Sequence, residues 1–214
     1  RTHQRQQDAR AALAAIRQTL LGFAMSHGRL PCPANPALAA SDAQAGLAQP
    51  DTGAPCARQV GVLPWKTLGL VSMDPWGRRY TYAVAGRYSQ TITQLAYPQA
   101  SSASELAEAA WYVHLSPTPT PPAVAQQLRV AALVLSHGAN GHGGWSDQGV
   151  QLPPAAGSAG EQLNAVGNTR TLGSNAAPNP FYGPASPGAD SDDVLDSLPA
   201  PLVLHALVSA GRLP

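Results

Sequence analysis

Residues 61–82 read GVLPWKTLGLVSMDPWGRRYTY and place two tryptophans, two prolines and one aspartate between hydrophobic runs. The DPWG motif at 74–77 predicts a tight turn, because its aspartate can accept a backbone hydrogen bond and its proline presets φ. Its last residue, Gly77, tolerates a positive φ. After the turn, Tyr80 and Tyr82 alternate with smaller residues, which is the period of a β-strand. We therefore expect a loop held by aromatic side chains that leads into a sheet.

Upstream of this stretch, the chain begins with polar residues and continues as a helical pattern. Leu13, Ile16, Leu20 and Phe23 recur at spacings of three and four, so they form one apolar stripe on a helix. The polar residues 1–8 contain no clear helix cap. The pattern thus looks like the continuation of a longer helix.

Downstream, strand signals alternate with polar connections. Segments with a strand pattern are 80–85, 88–97, 111–115 and 128–135. The last has a nearly continuous apolar run, which is typical of a central strand. A short helical patch is expected at 105–110, and the proline-rich segment 116–122 is expected to be a surface connection because its prolines lack backbone donors.

The last third of the chain divides into an irregular segment and a closing helix. Residues 136–188 are rich in Gly, Pro, Asn and Ser and show almost no hydrophobic periodicity, which predicts a long irregular segment. We expect Ser197 to cap the helix, Pro199 to lie in its first turn and Gly211 to end it.

Taken in order, these segments resemble the globular domain of a type IV pilin or a type II secretion pseudopilin. The resemblance covers about half of the chain and depends on the order and spacing of its motifs. These motifs are LLGFAMSHGRLPCP (20–33), VGVLPWKTLGL (60–70), DPWGRRYTY (74–82), LSHGANGHGG (135–144), SDDVLDSL (191–198) and the closing AGRLP.

The resemblance implies an α+β fold in which a long N-terminal helix packs on an antiparallel sheet, with long irregular loops and a short C-terminal helix. The helix would occupy residues 1–30, and the globular domain continuous with it residues 31–214. In this family a hydrophobic segment of about 20 residues precedes such a helix. The chain would then be anchored in the inner membrane with a periplasmic domain, or be extracellular within an assembled filament.

Composition agrees with a single globular domain. Charged residues make up 12% of the 214 residues, about half of the usual ~25%. The formal net charge is +1, so electrostatics indicates neither a nucleic acid partner nor an anionic membrane surface.

Cys32 and Cys56 are the two cysteines of the chain, and each lies beside a proline. They could be reduced thiols in a cytosolic protein or a disulfide in an oxidising compartment, and we favour the disulfide. Two cysteines are too few for a thiolate zinc site.

An acidic cluster precedes the closing helix, at positions 190, 192, 193 and 196. It could be a solvated loop facing the positive end of the helix macrodipole, or a calcium site built from oxygen ligands. The resemblance favours calcium, because major pseudopilins bind it with a Gly-rich loop and a following acidic motif. The candidate ligands are Asn140, Asp190, Asp192 and Asp193, although about fifty residues separate the two parts here. Because Asp192 and Asp193 are adjacent, we expect one to reach the ion and the other to cap the closing helix.

The predicted function is that of a non-enzymatic structural subunit that assembles with other pilin or pseudopilin subunits. A minor pilin or tip component that binds surfaces or sugars is the first alternative. The second is a secreted hydrolase using Ser26-His27 or Ser136-His137, with Asp147 or Asp192 as the third member. The chain has no G-x-S-x-G motif, and adjacent residues on a strand point to opposite faces. We therefore expect no enzyme activity and no cofactor other than calcium.

Overall fold

The computed structural model describes residues 2–92, 111–114, 127–153, 158–167, 181–183 and 191–213. Within them the chain has an α+β fold with helices along one sheet. The helices are α1 (Thr2–His27), α2 (Trp65–Leu68), α3 (Gly86–Ser89), α4 (Ala159–Gly167) and α5 (Ala200–Ser209). The strands are β1 (Val60–Val62), β2 (Thr81–Val84), β3 (Trp111–His114), β4 (Gln127–Ser136), β5 (Phe181–Tyr182) and β6 (Val194–Pro199).

The sheet is organised around β4, its longest described strand. β4 pairs antiparallel with β2, β3 and β6, and β1 adds antiparallel to β2. The short strand β5 pairs parallel with β3. The described side chains of β4, residues 130–136, are all buried. The prediction of a central strand at 128–135 is therefore confirmed, and so are the strands expected at 80–85 and 111–115.

Helix α1 packs on this sheet through the stripe seen in the sequence. Leu13, Ile16, Leu20 and Phe23 are all buried. The first three join the core that β4 and α5 complete. The helix contacts β4, β6 and α5. A helix with one apolar face gains its stability in this way, by burying that face against other elements.

The pair Cys32 and Cys56 forms a disulfide with an S–S distance of 2.04 Å, as expected. The segment that it closes is attached to the sheet by a pair of backbone hydrogen bonds between Ala34 and Val62. It therefore lies against β1 and is tied to the domain at several points.

Three local predictions are wrong. Residues 86–89 form the one-turn helix α3 instead of the beginning of a strand at 88–97. Ser197 lies in β6 opposite Leu133 and so cannot cap the closing helix. Residues 136–188 are not irregular throughout, because they include α4 and β5. In each case pairing or packing with a distant segment decides the local conformation.

Other expectations concern the ends of the closing helix and the segments beyond the described residues. α5 begins after Pro199, and Gly211 follows its end with a φ of +68°. The helical patch at 105–110, the connection at 116–122 and the rest of 88–97 after residue 92 lie outside the described residues. Within the described residues, no helix combines the length and the apolarity needed to cross a membrane.

Candidate metal centre

The DPWG turn forms as expected, and its aspartate reaches the end of β4. Asp74 Oδ1 accepts hydrogen bonds from the backbone N–H groups of Trp76 and Arg78, both at 2.9 Å. Asp74 Oδ2 accepts a bond of 2.6 Å from the Ser136 hydroxyl. Burial raises the pKa of this carboxyl, and the hydrogen bonds oppose that shift. The turn is thereby fixed beside the loop that follows β4.

That loop wraps around the carboxylate of Asp192. The backbone N–H groups of Ala139 and Asn140 donate to Asp192 Oδ2 at 2.7 and 3.0 Å. Gly138 has a φ of +60°, and a Cβ atom at this position would lie 2.5 Å from Asp192 Cγ. Glycine is required there because both the backbone conformation and the close approach exclude a side chain. The two parts of the expected site, 52 positions apart, therefore meet.

Asp193 lies on the inner side of Asp192 and is 1% exposed. Its Oδ2 accepts a 2.7 Å hydrogen bond from Asn164 Nδ2, whereas its Oδ1 has no hydrogen-bond partner. Burial, with smaller contributions from the charges of Glu161 and Asp192, raises the pKa of the Asp193 carboxyl to about 8, although the hydrogen bond from Asn164 opposes this shift. Its Oδ1 lies 3.9 Å from Nδ1 of His137, whose pKa burial lowers to about 4.

Glu161, in α4, is a member of the site that the sequence did not indicate. Its side chain is buried, and its Oε1 accepts a 2.7 Å hydrogen bond from Asn140 Nδ2. One carboxylate oxygen from each of Glu161, Asp192 and Asp193 lies within 4.8 Å of the other two. A single glutamate in a segment without strong periodicity gives no sequence signal for this role. Docking of α4 in the folded protein places it beside the other two carboxylates.

The other acidic candidates have different positions. Asp190 lies outside the described residues. Asp196 is in β6, where its carboxylate pairs with Arg17 at 3.2 Å. Neither Asp192 nor Asp193 caps the closing helix, because β6 separates them from α5. That expectation is wrong.

The three carboxylates fit an oxygen-preferring divalent cation such as calcium. Asp192 Oδ1 and Asp193 Oδ1 are both buried without a hydrogen-bond partner, although carboxylate oxygens inside proteins are normally satisfied. Calcium prefers carboxylate and carbonyl oxygens in flexible arrangements. Asn140 supports the cluster by orienting Glu161, while its Oδ1 accepts a bond from the His142 N–H.

The two Ser-His pairs have different geometry. The Ser136 hydroxyl donates to Asp74 and not to His137, whose Nε2 is 2.8 Å from Thr81 Oγ1 inside the protein. Ser26 Oγ lies 3.0 Å from His27 Nδ1, so these neighbours do meet. They lie at the end of helix α1, whereas the expectation that adjacent side chains diverge applies to a strand. The His27 ring stacks on Phe23, and among the described residues no carboxylate forms an ion pair with it.

A second buried charge lies at the other end of the DPWG turn. Arg79 is completely buried, and its guanidinium donates to the backbone carbonyls of Pro36, Leu38 and Asp147 at 3.0, 2.7 and 2.6 Å. It also lies over the Trp65 ring, 4.9 Å from the ring centroid. Arg79 therefore joins the disulfide-closed segment to the loop after β4.

Compared with known proteins, the chain matches no family model, no curated protein and no solved structure.

Proposed function

We propose that this chain is the globular part of a pilin-like filament subunit, of a type IV pilus or a type II secretion pseudopilus, and that it acts by assembly and not by catalysis. The observation that carries the proposal is the meeting of its motifs in space. Asp74 of the DPWG motif bonds Ser136 at the start of the Gly-rich loop. Asp192 of the acidic motif bonds the backbone of the same loop. The segments that resemble a pilin domain therefore form one contiguous structure.

Helix α1 supports the same proposal. From Ala9 onward its stripe is buried on the sheet, whereas residues 3–5 near its start are exposed. The opposite face, formed by Ala11, Ala14 and Gln18, is exposed and made of small or polar side chains. A helix held by one face and free on the other can contact a neighbouring subunit without leaving its own domain.

In this proposal calcium is a structural ion and takes no part in a reaction. Glu161, Asp192 and Asp193 would hold it, and it would offset the repulsion among their carboxylates. The partners would be other pilin or pseudopilin subunits. A membrane anchor before Arg1 would place the domain in the periplasm or, after assembly, in an extracellular filament.

Photo-crosslinking in the native host tests the assembly. A photoreactive amino acid at Ala11, Ala14 or Gln18 of the full-length protein should give a ladder of homo-oligomeric adducts in membrane or sheared surface fractions. The matched control is the same amino acid at Gln148, an exposed loop position. Recovery of the ladder in the sheared fraction would favour a pilus, and its retention in the envelope a secretion pseudopilus.

Two outcomes would contradict the proposal of a self-assembling filament subunit. A single adduct with a different protein and no ladder would indicate a tip component, the alternative with an adhesive role. Monomer alone at all three helix positions would overturn the filament proposal itself.

A further inference from the structure

We propose that Cys56 is the site at which a small external disulfide, of the class of glutathione disulfide, modifies the folded, reduced chain, and that Cys32 then displaces the modifying group from inside the protein. The two sulfurs would thus have different roles, although they end in one disulfide. The inference concerns the isolated chain and needs no assembly. It and the filament proposal can therefore fail independently.

Cys32 lies inside the protein. It is completely buried, within a run of buried residues at 28–34. The Tyr82 hydroxyl donates a 3.0 Å hydrogen bond to the carbonyl of the preceding residue, Pro31, and Ala34 exchanges two backbone hydrogen bonds with β1. A reagent in solution therefore has no direct approach to the Cys32 sulfur.

Cys56 is half-buried and belongs to an outer segment, residues 51–57, in which five of the seven residues are exposed. To other described residues, the outer segment makes one backbone–backbone hydrogen bond, from the Ala57 N–H to the Gln49 carbonyl at 3.1 Å. It also makes one ion pair, through the Asp51 carboxylate. A reagent can therefore approach Cys56 from solution, and the Cys56 sulfur can turn toward it with the loss of few contacts.

The burial of Cys32 does not depend on the disulfide. The Arg79 guanidinium donates to the carbonyls of Pro36 and Leu38 at 3.0 and 2.7 Å. The two backbone hydrogen bonds between Ala34 and β1, at 2.9 and 3.2 Å, hold the chain immediately after Cys32. None of these contacts involves a sulfur atom, so we expect Cys32 to stay buried when the disulfide is reduced.

These differences set the order of the two steps in oxidation. The thiolate is the attacking form of a cysteine, and burial in apolar surroundings disfavours the thiolate. In the first step the Cys56 thiolate attacks one sulfur of glutathione disulfide, the bond between its two sulfurs breaks, and one glutathione leaves as a thiolate. In the second step Cys32 loses its proton to solvent and attacks the Cys56 sulfur, and the second glutathione leaves. Two protein thiols are oxidised, and one glutathione disulfide is reduced to two glutathione thiols.

The reverse reaction begins at the same sulfur. An external thiolate attacks Cys56, so Cys32 is the leaving group and is released as a thiolate inside the protein. Exchange is slower when the leaving thiolate is poorly stabilised. We therefore expect glutathione to reduce the disulfide of the folded chain more slowly than the same disulfide in the unfolded chain.

Peptide mapping of the mixed disulfides tests the proposal on the wild-type chain. The reduced protein is mixed with excess glutathione disulfide, quenched with acid after short times, digested and analysed by mass spectrometry. In native buffer, glutathione should be found on Cys56 at least about tenfold more often than on Cys32, because only a reachable thiolate reacts. In guanidinium chloride, where the chain is unfolded, the two cysteines should be labelled to within about twofold, since burial no longer distinguishes them.

Two single-thiol variants measure each step alone and are matched, because both lack the disulfide. Cys32→Ser keeps the outer thiol, and it should accumulate a stable glutathione adduct because nothing displaces the glutathione. Cys56→Ser keeps the inner thiol, and it should react with glutathione disulfide at least about tenfold more slowly. Guanidinium chloride should remove the difference between the two rates.

Three results would overturn the assignment. The first is equal glutathione labelling of Cys32 and Cys56 in native buffer, which would also show that the reduced chain exposes Cys32. The second is a reaction of Cys56→Ser that is as fast as that of Cys32→Ser. The third is reduction of the wild-type disulfide by glutathione at the same rate in native buffer and in guanidinium chloride.

Discussion

Arg79 and Asp193 are both almost completely buried, yet their surroundings differ in kind. The Arg79 guanidinium finds three backbone carbonyls and an aromatic ring within its own chain. The Asp193 carboxylate has one hydrogen bond from Asn164 and two further carboxylates as neighbours. A buried charge is tolerated when its surroundings supply the opposite charge or dipole. Three carbonyl dipoles and the Trp65 ring surround the Arg79 guanidinium, although its Nε has no hydrogen-bond partner. In our proposal, a bound cation completes the Asp193 site.

The largest expected effect is at Arg79. Arg79→Met should lower the free energy of unfolding by about 3 to 5 kcal/mol, because three backbone carbonyls in buried or partly buried bonds lose a charged donor. Chemical denaturation monitored by tryptophan fluorescence measures this. The control is Arg78→Met, whose guanidinium donates to Gly77 at the surface, and it should cost less than about 1 kcal/mol. Equal losses of unfolding free energy in the two variants would mean that the bonds of the buried Arg79 guanidinium contribute no more stability than a bond at the surface.

The disulfide should come next, with an effect of about 3 kcal/mol in the chain-entropy model for a loop of this length. Titration of the unfolded, unreduced protein should find no free thiol. Pro36 and Leu38 lie inside the segment that the disulfide closes, and both accept bonds from Arg79. The disulfide and Arg79 therefore hold the same segment. Cys32→Ser/Cys56→Ser combined with Arg79→Met should therefore cost less than the sum of the separate losses. If the separate losses simply add, the disulfide and the Arg79 bonds stabilise the domain independently of each other.

At the acidic site we expect the opposite effect: a substitution that removes the carboxyl should stabilise the protein when no calcium is present. Asp193→Asn should raise the free energy of unfolding in chelator by about 1 to 2 kcal/mol, because burial opposes ionisation of the Asp193 carboxyl and the amide has no charge to lose on folding. Its side-chain oxygen can still accept the Asn164 bond. The same variant should lose the calcium-dependent gain, which is about 2.7 kcal/mol for the wild type at a hundredfold excess over Kd. Thermal unfolding in both buffers measures this. The control Asp8→Asn, at an exposed position on α1, should change neither value. Destabilisation by Asp193→Asn in chelator would contradict the comparison.

The smallest effect should be at the ion pair between Arg17 and Asp196, whose side chains are 35% and 24% exposed. A double-mutant cycle with Arg17→Met and Asp196→Asn should give a coupling below about 1 kcal/mol. The coupling should decrease further at high salt, because solvent-accessible charges are screened. A coupling comparable to the loss at Arg79 would show that exposure is not what distinguishes these charged groups.

The elements that could be predicted from sequence are those in which local pattern and tertiary environment agree. The α1 stripe, the DPWG turn and the strand around Leu133 all carry the period or the turn residues of the structure that they form. The two cysteines were paired correctly because no other pairing exists. In these segments the neighbours along the chain contain most of the information.

The failures occur where a distant partner decides. Ser197 and Pro199 have the composition of a helix start, but pairing with β4 makes their segment a strand. Glu161 shows no motif, and its position beside the other carboxylates depends on the contact between α4 and the loop at Asn140, 21 positions away. Asp192 and Asp193 were identified as candidates, whereas the third carboxylate required the tertiary structure.

The first helix and the last elements of the chain complete one another, which has a consequence during synthesis. Arg17 pairs with Asp196, 179 positions later, and Arg212 donates to the carbonyls of Met25 and Ser26. At a translation rate of about 5 to 20 residues per second, roughly 10 to 40 s pass between the making of these partners. Throughout that interval the apolar face of α1 lacks its cover from β6 and α5. A nascent chain of this protein should therefore need a chaperone or a translocation channel until its final twenty residues emerge.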